Sequence, residues 1–174
     1  MESRAKVLGH SIHPILIVFP LGLLSTGVIF DFIRLLGGSP SFTFVAFWMI
    51  ASGLVGGVAA AAFGWIDWFA LPEYSRARRV GLVHGIVNMI VLMLYAASLV
   101  LRSNDPSRPE IAATVFSTVG AGFALIGGWL GGELVERLSV GVHEGANIDA
   151  PSSLSVTRVA SEMHHGHTFS AARR

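Results

Sequence analysis

The chain has 174 residues, of which 52% are hydrophobic and 13% are charged, and its formal net charge is +1. Ordinary globular domains carry about twice this share of charged residues. No basic stripe suited to nucleic acid is present, so nucleic acid is not an expected partner. The absence of cysteine excludes disulfides, thiolate metal sites, iron–sulfur clusters and covalently attached haem.

The apolar residues cluster into four stretches, each long enough to cross a bilayer as a helix of ~20 residues. We place them at residues 13–36, 42–70, 80–101 and 112–135. Short connections force neighbouring helices to run antiparallel. The sequence therefore predicts an all-α integral membrane protein, an up-down four-helix bundle. Residues 1–137 form the transmembrane domain and residues 138–174 form a flexible, polar C-terminal tail.

The distribution of Lys and Arg predicts the orientation in the bilayer. The first stretch is too long for a secretory signal and lacks a small-x-small cleavage site before Asp31, so we keep it as a span. The loop between spans 2 and 3 carries Arg76, Arg78 and Arg79. The opposite side carries Arg34, Arg102 and Arg108. With the basic residues of the termini added, we expect a multi-pass protein of the bacterial inner (plasma) membrane with both termini cytoplasmic.

Proline and small residues punctuate the spans. Pro20 lies inside span 1, where it removes a backbone hydrogen bond and clashes with the carbonyl of Leu16, so a kink is expected. Glycines and alanines recur at four-residue spacing, as at Gly53 and Gly57, and allow close helix packing in lipid. This packing can be internal, or it can form a homodimer or a larger membrane complex. No internal repeat is evident from the sequence.

Polar residues occur at similar depth on all four spans. Within roughly 10 Å of the expected cytoplasmic boundary, at 1.5 Å per helical residue, lie His13, Asp67, His84 and Glu133. Asn88 is one turn beyond His84 on the same helix face. His10 precedes His13 by three residues, although Pro14 disfavours helical geometry at His13. Ionisable groups inside a bilayer are costly and usually face the bundle interior with a function.

Three interpretations of this polar cluster compete. The first is a non-haem site for zinc, iron or manganese, with ligands from His10, His13, Asp67, His84 and Glu133. The second is a haem b held by His84 together with His13 or His10. The third has no cofactor, and the His, Asp and Asn side chains hydrogen-bond to one another and fix helix packing or relay protons.

Other polar residues lie outside this cluster. Asp31 is at the opposite end of span 1, and an ion pair with Arg34 is its simplest explanation, with an ion or proton exit as the functional alternative. The run His164-His165-Gly166-His167 in the tail suits weak, adventitious metal binding. No nucleophile elbow, phosphate-binding glycine loop or zinc-protease helix motif supports hydrolytic chemistry.

Spaced motifs across the chain resemble a bacterial membrane protein family, domain of unknown function 2231. They are Gly9-His10-Ser11-Ile12-His13-Pro14, Phe19-Pro20-Leu21-Gly22-Leu23, Phe30-Asp31, Gly64-Trp65-Ile66-Asp67-Trp68, His84 with Asn88, Gly131-Gly132-Glu133-Leu134-Val135, Gly141-Val142 and Ala150-Pro151-Ser152-Ser153. The resemblance implies four spans and maps the family's polar positions onto His10, His13, Asp31, Asp67, His84 and Glu133. Where the family often has Tyr after Leu-Val, this chain has Glu136.

The resemblance also bears on function. Some similar proteins are fused to a Rieske-type iron–sulfur domain, which implies an electron-transfer partner, but this chain has no cysteine to build one. Our leading hypothesis is a small redox, metal-binding or haem-binding bundle with His13 and His84 as core ligands. One alternative is a structural or accessory membrane subunit without a cofactor. Another is a proton- or metal-coupled carrier.

Overall fold

The computed structural model describes residues 1–154, and its long elements are helices. They are α1 (Ile12–Leu16), α2 (Val18–Leu35), α3 (Ser41–Phe69), α4 (Arg76–Arg102) and α5 (Ile111–Gly132), which continues as a π-helical turn at Glu133–Arg137. Four helical stretches are long and apolar enough to span a membrane: Ile12–Leu35, Ser41–Phe69, Arg76–Arg102 and Ile111–Arg137. The predicted all-α four-helix bundle is confirmed. The tail histidines at 164, 165 and 167 lie outside the described residues.

The third span begins earlier than predicted, inside what the sequence suggested was a basic loop. Ser75 is extended, and its hydroxyl accepts a hydrogen bond of 3.1 Å from the backbone N–H of Arg78. This is an N-cap, and it satisfies one of the free donors of the first helical turn. The helix therefore starts at Arg76 and carries the basic residues on its first turn.

A short β-hairpin precedes the first span, so the expectation of helices alone is corrected. Strands β1 (Lys6–Val7) and β2 (His10–Ser11) pair antiparallel with Val7 opposite His10. Leu8 and Gly9 form the turn with φ of 49° and 84°, the left-handed geometry of a two-residue hairpin loop. Helix α1 starts at Ile12, so His13 is helical despite the proline that follows it, and the expected loss of helical geometry at His13 is wrong.

The kink expected from Pro20 appears as a break in the first span. Helix α1 ends at Leu16 and α2 starts at Val18, with Ile17 between them. Proline has no N–H to donate to the carbonyl four residues earlier, which belongs to Leu16. The backbone N–H of Leu21 still donates to Ile17, at 3.1 Å. The break therefore falls where the missing bond would have been.

The bundle consists of two similar helical hairpins, an internal repeat that the sequence had not revealed. Residues of α1 and α2 are separated from their counterparts in α4 by a constant number of sequence positions. The pairs are His13 and His84, Leu24 and Tyr95, and Asp31 and Arg102. A second constant separation relates residues of α3 to residues of α5: Ala46 to Ala113, Gly53 to Gly120, Ala60 to Gly127 and Gly64 to Gly131. Four of these seven pairs share a residue type, and the other three are equivalent only in the packing.

Equivalent residues of the two hairpins make equivalent contacts. Gly53 lies against Leu24, and its counterpart Gly120 lies against Tyr95. The equivalent residues also meet each other across the bundle: His13 approaches His84, and the Tyr95 hydroxyl donates to the Leu24 carbonyl at 3.3 Å. Contacts between the same positions of two copies are characteristic of two-fold symmetry. Because both hairpins run in the same direction, the pseudo-two-fold axis lies along the helices.

At the end of the axis opposite the histidines, Asp31 and Arg102 form a buried bidentate ion pair. The guanidinium nitrogens lie 2.7 and 2.5 Å from the two carboxylate oxygens, and both side chains are at most 1% exposed. Arg102 also donates to the hydroxyls of Ser98 and Ser117. The predicted pairing of Asp31 with Arg34 is therefore wrong. Arg34 donates instead to the carbonyl of Gly38.

Removing one partner of the Asp31–Arg102 pair should destabilise the bundle strongly. We expect Asp31→Ala to lower the free energy of unfolding by about 3–5 kcal/mol, because it leaves a buried guanidinium without a counter-charge. Arg34→Ala, the matched control, should cost less than about 0.5 kcal/mol. Unfolding of the purified protein in detergent measures both. An equal loss of unfolding free energy in the two variants would contradict a stabilising role of the Asp31–Arg102 ion pair.

Candidate functional site

His13 and His84 meet on the pseudo-two-fold axis near the end of the bundle that holds the chain's N-terminus. Helix α1 carries His13 and α4 carries His84, and both side chains are partly buried. Their ring centroids are 6.3 Å apart, and the ring planes are nearly perpendicular at 85°. The two imidazoles predicted as core ligands are therefore close neighbours inside the bundle.

Each imidazole is held by a backbone carbonyl of the adjacent helix. Nδ1 of His13 lies 2.7 Å from the carbonyl oxygen of Ala60, and Nδ1 of His84 lies 3.0 Å from that of Gly127. A carbonyl oxygen can only accept a hydrogen bond, so Nδ1 must carry the proton in both rings. In the neutral imidazole, this leaves the lone pair of each ring on Nε2, which in His84 lies 3.2 Å from Nδ2 of Asn88.

A glycine one turn beyond each carbonyl makes these hydrogen bonds possible. A helical carbonyl already accepts a bond from the N–H four residues later, and the side chain at that later position leans back over it. Here that position is Gly64 in α3 and Gly131 in α5. A Cβ on Gly64 would lie 3.1 Å from Nδ1 and Cε1 of His13, and one on Gly131 would lie 3.3 Å from Cε1 of His84.

Asn88 completes the polar interior next to His84. Its Nδ2 donates to the carbonyl of His84 at 2.9 Å and lies 3.2 Å from Nε2 of the same residue. Gly127 provides the space, since a Cβ there would lie 3.0 Å from Oδ1 of Asn88. The predicted proximity of Asn88 and His84 on one helix face is confirmed.

Asp67 is engaged elsewhere, as an anchor for the N-terminal segment. The Ser3 hydroxyl lies 2.7 Å from both carboxylate oxygens, and the N–H groups of Arg4 and Ala5 donate to Oδ1 at 2.8 and 3.2 Å. Residues that follow the last helix also bind the N-terminal segment at this end of the bundle. The N–H of Gly141 donates to the Met1 carbonyl at 2.9 Å.

The remaining predicted ligands are also held apart from the histidine pair. Glu133 accepts a hydrogen bond of 2.5 Å from the guanidinium of Arg76. His10 lies exposed on β2, with Nδ1 3.2 Å from the carbonyl of Leu8. Within residues 1–154, no three His, Asp or Glu side chains lie close enough to hold a metal ion together. Of the predicted site residues, the structure thus brings together His13, His84 and Asn88.

Comparison with known proteins defines the family but not an activity. A family model described as a predicted membrane protein, DUF2231, matches residues 9–144. The chain belongs to this family. The match covers both histidines on the pseudo-two-fold axis and the helices of both hairpins of the repeat. Neither a curated protein nor a solved structure matches the chain.

The residues that orient the histidines were missed because they act through the backbone. Every residue has a backbone carbonyl, so the residue types at Ala60 and Gly127 do not show that these carbonyls accept hydrogen bonds from the histidines. The available signal was the glycine four residues after each of them, Gly64 and Gly131, which the sequence interpretation assigned to helix packing alone. Arg102 was missed because its position at the end of a span suggested a loop residue.

Adding a methyl group beside an imidazole should disturb the site. We expect Gly64→Ala to lower the free energy of unfolding by about 1–3 kcal/mol, because the new Cβ overlaps His13 and covers the Ala60 carbonyl. Gly132→Ala is the control: no atom lies within 4 Å of its Cβ position, so greater helix propensity should stabilise it by up to about 1 kcal/mol. Thermal unfolding shows whether each variant is less or more stable than the wild type.

Asp67 should matter for the N-terminal segment and not for the histidines. In Asp67→Ala, the amides of Arg4 and Ala5 lose their acceptor, so we expect their hydrogen exchange to accelerate by tenfold or more, corresponding to about 1.5–3 kcal/mol of lost charged hydrogen bonding. Glu73→Ala, an exposed carboxylate at the same end, is the control. Unchanged exchange in Asp67→Ala would contradict the anchoring role.

Proposed function

We propose that this DUF2231 protein binds a b-type haem through His13 and His84 and serves one-electron transfer in the membrane. The observation that carries the proposal is the matched pair of imidazoles, each with its Nδ1 proton on a backbone carbonyl, so that Nε2 is the nitrogen left to bind a metal. Histidines that bind metals almost always donate the other ring N–H in this way, which fixes the tautomer and the ring orientation.

The number of ligands favours haem over a free metal ion. Zinc and related ions need three or four protein ligands, and the described residues offer no such group. Haem iron requires only axial ligands from the protein because the porphyrin supplies the other four. Two imidazoles are therefore enough protein ligands for haem but too few for zinc.

The two imidazoles that would hold the haem are close neighbours within the bundle. Their ring centroids are 6.3 Å apart. The glycines beside both rings, Gly64 and Gly131, also leave the imidazole edges free of side-chain methyl groups.

We further propose that both termini face the cytoplasm of a bacterial plasma membrane. The support is the count of basic residues at each end. Arg76, Arg78 and Arg79 lie at the histidine end. Arg4, Lys6 and Arg137 lie at the same end, and the other end has Arg34, Arg102 and Arg108. The histidine pair then lies nearer the cytoplasmic face.

An absorption spectrum of the purified protein, oxidised and then reduced with dithionite, tests the haem proposal. The protein is expressed in a haem-producing host. We expect a Soret band and sharp reduced α and β bands, lost in His13→Ala and in His84→Ala. His10→Ala is the matched control and should retain the spectrum, because His10 lies exposed outside the bundle.

A wild-type protein with a featureless visible spectrum would contradict the proposal. It would favour the interpretation without a cofactor, in which the histidines serve the bundle's internal hydrogen bonding. One contact supports that second candidate: Nδ2 of Asn88 lies within donating distance of Nε2 of His84. In that case His84→Ala should lower thermal stability without any spectral change.

A further inference from the structure

A cavity of about 340 Å³ lies at the end of the bundle opposite the histidines. It is bounded by the end of α2, the start of α3 and the connection into α5. The lining residues include Asp31, Arg34, Leu35, Thr43, Arg108 and Ile111. Its volume falls at the lower end of the range of small-molecule sites. We name it the arginine cavity.

The charge that the arginine cavity offers to a ligand is positive. Asp31 lies in its wall, but both carboxylate oxygens are engaged by Arg102. Arg34 and Arg108 have no carboxylate partner within hydrogen-bond distance among residues 1–154: Arg34 donates to the Gly38 carbonyl, and the Arg108 side chain forms no hydrogen bond there. Two guanidinium groups are thus available.

Two other carboxylates lie close in sequence to the lining residues. Glu110 precedes α5 between Pro109 and Ile111 and does not itself line the cavity. Asp105 is engaged by its own turn. Its Oδ1 accepts hydrogen bonds from the N–H and the hydroxyl of Ser107, at 3.0 and 2.5 Å. These bonds, and to a smaller degree the charge of Arg108, lower the pKa of Asp105. Asp105 does not line the cavity.

The two helix starts at this cavity add to the positive potential. Helices α3 and α5 both begin here. In α3 the N–H of Ser41 donates to the Ser39 hydroxyl, and those of Phe42 and Thr43 donate to the preceding carbonyls, so α3 contributes its dipole and not free donors. Helix α5 starts without a side-chain cap. The positive end of a helix dipole favours anions. Thr43 joins the two walls, since its hydroxyl donates to the carbonyl of Ser107 at 3.0 Å.

We propose that the arginine cavity binds a phosphate group, carried either by an anionic phospholipid headgroup or by a soluble phosphate. Guanidinium groups match phosphate oxygens in geometry and charge. The cavity lies where α2 ends and α3 and α5 begin, at the level of the lipid headgroups if the helices span the bilayer. Leu35 and Ile111 are 62% and 80% exposed beside it and provide an apolar border.

Calorimetric titration of the full chain in phosphate-free detergent tests the site with two probes, dioctanoylphosphatidylglycerol and inorganic phosphate. Arg34→Gln and Arg108→Gln should each weaken binding by about tenfold or more, the cost of one charge-assisted hydrogen bond. Arg79→Gln, an exposed arginine at the other end, is the control and should bind as the wild type does. Circular dichroism and thermal unfolding check that each variant folds.

The two probes distinguish the sources of phosphate. Arginine-dependent binding of inorganic phosphate alone assigns a soluble ligand, and arginine-dependent binding of the lipid alone assigns a headgroup. Failure of both probes to bind, or equal affinity in wild type and both Gln variants, overturns the proposal. If a Gln variant does not fold, Arg34→Lys and Arg108→Lys replace it, and they should show a smaller loss because the charge remains.

Discussion

The bundle depends on the hydrogen bonds that an imidazole can find inside a membrane. A transmembrane helix satisfies its own backbone groups, and lipid offers no acceptor, so an interior N–H must share a carbonyl that is already bonded. A position without a side chain one turn later leaves that carbonyl accessible to a ring. Gly64 and Gly131 provide this access in the two hairpins. The glycines at these two positions therefore allow the orientation of both histidines.

The pseudo-two-fold axis explains why polar groups lie where they do. Residues on such an axis meet their own counterparts, so a polar residue at one position is paired by the polar residue at the equivalent one. His13 and His84 are the same residue type and present two identical groups. Asp31 and Arg102 have opposite charges and compensate each other. The same geometry thus brings two imidazoles together at one end and forms a buried ion pair at the other.

Much of the fold could be predicted from the sequence, because length and hydropathy decide which segments span a bilayer. The depth argument also selected His13 and His84, which do meet. It failed for Asp67 and Glu133, because depth along a helix says nothing about the direction in which a side chain points. Asp67 binds the N-terminal backbone, and Glu133 binds Arg76.

The contacts that sequence reasoning missed are long-range or backbone-mediated. Local spacing favoured an ion pair between Asp31 and Arg34, whereas the partner, Arg102, comes from a distant helix. The repeat went unnoticed because equivalent positions such as Leu24 and Tyr95 keep the packing and not the residue type. Such relations become visible only when the helices are placed side by side.

The most direct test of the central claim is the protonation of the two axial imidazoles in the cofactor-free protein, measured by ¹⁵N NMR of histidine-labelled protein in detergent. The contacts with the Ala60 and Gly127 carbonyls predict a proton on Nδ1 in both His13 and His84. A proton on Nε2 with a bare Nδ1 in either ring would contradict the account, since that ring could neither donate to its carbonyl nor present Nε2 to a metal.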